Sequence, residues 1–123
     1  MKNQKIIQKI INYIDSILKY TNNISYADFR NNSMMVEACV FNLSQIGELV
    51  NKLDKDYILT YHEIPWFKVR GLRNRIVHDY EGVNLNLIWE IIDIDIIVLR
   101  EQLLKHKRPI IPWVYKNSSH FDC

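Results

Sequence analysis

The stretch "RGLRNRIVHDY", Arg70 to Tyr80, holds three arginines, an asparagine, a histidine and a tyrosine. On a helix turning about 100° per residue, Asn74 and His78 lie one above the other, and Arg70 extends the same row. Arg73 and His78, five apart, point about 140° away from each other on a regular helix. Either the long arginine side chain curls round to the imidazole, or the helix loosens near His78. Arg73 and Tyr80, seven apart, share a face if the helix runs that far. These are groups that hold and cleave a phosphodiester. Histidine, with an unperturbed pKa of about 6.5, both takes and gives protons near neutrality. A guanidinium is a planar, permanently charged fork that fits a phosphate and stabilises the added charge of a pentacoordinate phosphorus. Asn74 is able to hydrogen-bond the substrate or fix the imidazole. In RNA the ribose 2′-hydroxyl is a built-in nucleophile, so a base suffices and no metal is needed. The product would be a 2′,3′-cyclic phosphate or its hydrolysis product.

Acid–base cleavage wants two proton carriers, one for the 2′-hydroxyl and one for the leaving 5′-oxygen. The motif has one histidine. A two-fold homodimer bringing two copies of this helix into one cleft would supply both. Each residue also has an ordinary alternative. Arg70, Arg73 and Arg75 would suit a solvated helix face, and a histidine near a helix C-terminus suits the dipole there. Tyr80 would equally close the helix as a core aromatic.

The rest of the chain must position this segment. Ile6, Ile7, Ile10, Ile11, Ile14, Ile17 and Leu18 keep helical spacing, which predicts an amphipathic helix over about 5–20. "TNNISYADFRNNS" breaks it, and Asn31, Asn32 or Ser33 is placed to cap a second helix over about 33–53. Its stripe is Met35, Ala38, Cys39, Asn42, Ile46, Leu49, Val50 and Leu53, with Asn42 the polar exception; Gly47 would permit close packing. "DKDYILTYHEI" is an irregular or short helical connector. Pro65 suits the first turn of a third helix, from Trp66 to about Asp79, with Val69, Leu72 and Ile76 inward. Asn84 or Asn86 caps a fourth over about 87–105, in which Ile88, Ile92, Leu99 and Leu103 hold helical spacing. The architecture expected is all-α, an up-and-down four-helix bundle in residues 1–105, with a proline-containing tail over 106–123.

Length and composition agree with one globular domain: 123 residues, 48% hydrophobic and 24% charged. The net charge of +2 does not by itself mark a nucleic-acid binder. Its distribution does more, because Lys68, Arg70, Arg73 and Arg75 fall within eight residues that contain no acid. Lys68, Arg70 and Arg75 are the candidate RNA-backbone contacts. Cys39 and Cys123 make neither a disulfide framework nor a CxxC site, which suits a reducing cytoplasm. Charges interrupt every apolar run, so neither a signal peptide nor a spanning helix is expected, and the surplus apolar surface of the isoleucine-rich first and fourth helices favours a dimer over a membrane role.

"RNRIVH", Arg73 to His78, resembles the R-x4-H signature of HEPN domains, including the polar residue after the arginine, Asn74. With "DY" appended, Arg73-x4-His78-x-Tyr80 resembles the R-x4-H-x-Y signature of HepT-like toxins. "SQIGELVNKL", "IPWFKVRGLRN" and "LIWEIIDIDIIVL" are similar to that family's IGE helix, its segment entering the motif and its final helix. The resemblance covers roughly residues 1–105. It implies a homodimeric HEPN fold whose motifs meet at the dimer interface as a metal-independent ribonuclease site. Arg73 and His78 would be the catalytic pair, supported by Asn74. It further implies a toxin whose antitoxin is a small MntA-like nucleotidyltransferase that transfers AMP onto Tyr80. Phosphoryl groups beside Arg73 would occupy the arginines that RNA needs. Two other classes compete with this: a non-catalytic helical partner that positions a nucleotidyltransferase, and a nucleotide-binding regulatory dimer that holds a phosphate without cleaving.

Overall fold

A computed structural model describes residues 2–72, 74–76 and 84–107. Seven α-helices have their bounds among the described residues. Helix α1 (Lys2–Tyr20) presents Ile6, Ile7, Ile10, Ile11, Ile14 and Ile17 to the core, while Leu18 is half-buried. Burying that many isoleucines is the main stabilising term, at about 1.5–3 kcal/mol for each side chain removed from water.

The segment read as a break contains a further short helix, α2 (Tyr26–Arg30). A capping box starts it: Ser25 Oγ accepts from the Asp28 amide, and the Asp28 carboxylate accepts from the Ser25 amide, each at 3.1 Å. The buried Phe29 ring anchors it, with its centroid 5.1 Å from that of Trp89.

Of the three candidate caps, Asn32 is the one used, its side chain accepting from the Met35 amide at 3.1 Å. It opens α3 (Ser33–Val50), which packs along α1. Its buried residues are Val36, Cys39, Asn42, Leu43, Ile46, Gly47, Leu49 and Val50. Val36 and Leu43 thus join the expected stripe, and Met35 and Ala38 lie at its half-buried margin. The helix ends at Val50, before the expected Leu53, which is nonetheless buried. Asn3 holds the following turn to the N-terminus: its carboxamide accepts from the Asp54 amide at 3.1 Å and donates to the Asp54 carboxylate at 3.2 Å.

The connector contains α4 (Lys55–Thr60), and α5 (Trp66–Arg70) follows Pro65. Asn84 Oδ1 accepts from the Leu87 amide at 3.2 Å and caps α6 (Leu85–Glu90). A wide π-turn (Ile91–Asp95) joins it to α7 (Ile96–Lys107), so the fourth long element begins slightly before its expected start. The π-turn has a packing cause. Ile91 and Ile96, each 1% exposed, are five apart and would point about 140° from each other on a regular helix. Bonding from the Ile96 amide to the Ile91 carbonyl underwinds the chain and brings both to the core. Helix α7 then packs on α1, where Arg100 Nε donates to Asp15 at 2.6 Å. Among the described residues there is no strand, and no helix is long and apolar enough to cross a membrane. The all-α helical bundle is as expected, with α4 as the short helical form of the connector and α2 as an addition.

Candidate active site

The start of the motif helix is fixed by aromatic packing. Trp66 is buried and donates its indole N–H to the Tyr61 carbonyl at 3.0 Å, and the Tyr57 ring lies 4.7 Å from that of Tyr61 and 6.2 Å from that of Trp66. Burial, and then the neighbouring Tyr61, push the Tyr57 hydroxyl above its ordinary pKa. Trp66 is therefore a core anchor.

From there the chain winds as α5 and turns at Gly71. The Gly71 amide donates to the Phe67 carbonyl at 3.1 Å and the Arg75 amide to the Gly71 carbonyl at 3.0 Å, so the helical bonding pattern spans the turn. Val69, Leu72 and Ile76 are buried, which makes them the inner face that their spacing required. Opposite them, Phe67, Lys68, Arg70, Asn74 and Arg75 are exposed. Neither Lys68, Arg70 nor Arg75 pairs with an acid among the described residues. The three candidate RNA-backbone cations and Asn74 thus stand on the solvent-facing side of a segment packed inward through Val69, Leu72 and Ile76. Arg73, His78 and Tyr80 lie outside the described residues.

Beside this helix runs a groove of about 220 Å³. Lys68, Leu72 and Arg75 form one wall; Ile91, Asp95 and Ile96 of the π-turn and its end form the other. Its chemistry is a cationic rim, one carboxylate and an apolar floor. Asp95 was not singled out in the sequence, because the strand-like alternation of "EIIDIDIIVL" gives no sign of which acid the wide turn brings to the motif helix. Phe67 was missed as well; at 86% exposed it is the most exposed large hydrophobic among the described residues. The signal was present, since the spacing that sends Val69, Leu72 and Ile76 inward sends Phe67 out. Trp89, with its ring 6.1 Å from Tyr26, is half-buried between α2 and α6. Among the described residues, no cluster of three or more histidine, cysteine, aspartate or glutamate side chains is placed to hold a metal ion.

Residues 10–106, which include this helix and groove, match the family model described as "Ribonuclease HepT-like". The chain belongs to the HepT-like ribonuclease family. A Methanocaldococcus jannaschii protein named "Putative RNase" is 34% identical over 96 residues, which span 78% of this chain and 79% of that one. Another of that name, from Caldanaerobacter subterraneus subsp. tengcongensis, is 31% identical over 97 residues, 79% of this chain and 87% of its own. A Thermococcus cleftensis protein named "Probable ribonuclease HepT" is 26% identical over 102 residues, 83% of this chain and 93% of its own. No solved structure matches the chain.

Proposed function

We propose that this HepT-like chain is a metal-independent endoribonuclease whose catalytic groups are Arg73 and His78, with Asn74 in support. The observation that carries the reading is that the ribonuclease family match runs through Arg73–Tyr80, next to an exposed helix face bearing Lys68, Arg70 and Arg75. His78 removes the 2′-hydroxyl proton, O2′ bonds to phosphorus, and the bond from phosphorus to O5′ breaks. The leaving oxygen takes a proton from the second histidine of a homodimer, which leaves a 2′,3′-cyclic phosphate and a 5′-hydroxyl. Arg73 balances the charge that builds on the phosphoryl oxygens. Lys68, Arg70 and Arg75 hold the RNA backbone, and the working unit is the helical domain of residues 1–105.

In this reading the chain acts in the cytoplasm as the toxin of a toxin–antitoxin pair. An MntA-like nucleotidyltransferase neutralises it by moving AMP from ATP onto the Tyr80 hydroxyl, with pyrophosphate leaving. The added phosphate competes with RNA for Arg73.

The purified chain is expected to cleave RNA in EDTA, and Arg73→Ala and His78→Ala each to abolish cleavage with the circular dichroism unchanged. Cleavage that persists in His78→Ala refutes the mechanism, and full activity from an obligate monomer refutes the shared cleft. After co-expression with the nucleotidyltransferase, mass spectrometry should find an adenylyl unit on the Tyr80 peptide; a tyrosine left unmodified while activity is lost refutes that mode of control.

A further inference from the structure

We infer that Phe67 and Gly71 form a platform on which one unstacked nucleobase of a single-stranded RNA sits. The inference rests on the ribonuclease reading and assigns it a substrate class. Taking Phe67 as zero on a helix turning about 100° per residue, Gly71 lies at about 40° and Asn74 at about 20° the other way. Phe67, Gly71 and Asn74 therefore form a stripe along the outer face, with Phe67 and Asn74 exposed and Gly71 half-buried. Arg70 stands on one flank, and Lys68 and Arg75 on the other.

Two features of this stripe have no cause among the described residues. The first is the phenyl ring, 86% exposed on a helix whose inner face is already filled by Val69, Leu72 and Ile76. The second is the glycine. Its φ of −76° suits any residue, and among the described residues a Cβ built on it would meet only the Phe67 and Lys68 carbonyls, at 3.5 and 3.6 Å, which are ordinary contacts. Packing against the described residues does not require a glycine here. Its effect is to leave bare backbone next to the ring, so that a flat group lying on Phe67 meets no side chain one turn further on.

The surroundings name the occupant. No acid occurs from Pro65 to Ile76, and cations stand on both sides of the ring, with Asp95 as the one carboxylate in the groove beyond Lys68 and Arg75. A partner helix would want a continuous apolar stripe, and this face has one aromatic among cations. A splayed nucleotide has a π-face for the ring and an anionic linkage for the flanking cations. In a duplex both faces of the base are already stacked, so the platform selects single strands.

The test is fluorescence anisotropy in EDTA with a short 2′-O-methyl single strand, which binds without being cleaved, and with a duplex of the same length. Phe67→Ala and Gly71→Leu should each weaken single-strand binding by about 5- to 150-fold, the range that losing one stacked base implies. Phe67→Trp should retain it, and duplex binding should move by less than about two-fold. Gly71→Leu leaves the ring in place, so its effect reports the open slot alone. Unchanged single-strand affinity in both variants, with wild-type cleavage intact, overturns the platform and leaves the ribonuclease reading standing. A loss shared equally by strand and duplex, or one that accompanies a change of oligomeric state in gel filtration, assigns Phe67 to the protein's own assembly and also overturns the platform. A wild-type protein that neither binds nor cleaves RNA overturns both.

Discussion

Replacing Lys68, Arg70 and Arg75 together by alanine tests whether the basic face reads the RNA backbone. All three side chains are exposed and make no ion pair among the described residues, so their loss should cost the fold no more than about 0.5 kcal/mol each. Each phosphate contact to a single strand releases counterions and contributes about 0.7 to the slope of log affinity against log salt. Three lost contacts should make that slope shallower by about 2. Between about 50 and 200 mM salt, the wild type should then lose roughly 20 times more affinity than the variant does. Anisotropy titrations of the 2′-O-methyl strand across a salt series give both slopes, and thermal melts check the fold. A slope that matches the wild type within about 0.5, in a folded variant, would show that these cations do not touch phosphate.

Ile46→Ala, at a fully buried position of α3, should cost about 2–5 kcal/mol in urea unfolding, and a cost under 1 kcal/mol would mean the core is loose there. Gly71→Ala should raise stability by about 0.4–1 kcal/mol, because the native backbone accepts a Cβ and the unfolded chain loses freedom; a loss of stability would contradict the spacing found around it. Burial pushes the Cys39 thiol from 9.0 up to about 11, so the folded state keeps a proton that the unfolded state gives up in this window. Stability should therefore be unaffected below about pH 9 and fall as pH rises towards 11, more steeply than in Cys39→Ala, as urea midpoints across that range would show. Cys39 should also resist iodoacetamide at pH 8 until the protein is unfolded, as peptide mass mapping would reveal.

How much was legible depends on whether a residue's role follows from period alone. The α1 isoleucines, the inner face of the motif helix and the stripe of the fourth helix repeat at three and four residues, and each is buried as its period requires. Caps were legible only as short lists, because Asn31, Asn32 and Ser33 are all competent and the geometry of one turn decides among them. Helix α2 went unseen although "SYAD" carries a capping box, since five residues give too little periodicity to register. The π-turn was invisible for a stronger reason. It arises from the demand that both Ile91 and Ile96 reach one core, and that demand exists only once α1 is in place. The candidate site divides similarly. Its cations were named from clustering, whereas Phe67 and Asp95 needed the helix faces and the neighbouring element to be known.

The wide turn means that the fourth helix contains one residue more than a straight rod would need. Removing Ile94, which is half-exposed, would let the segment wind regularly and still leave Ile96, Leu99 and Leu103 on the inward side. The bundle therefore has no use for the surplus residue, and its effect falls on the wall facing Lys68 and Arg75. A chain shortened at that point should fold and keep its core while presenting a differently shaped groove beside Lys68 and Arg75.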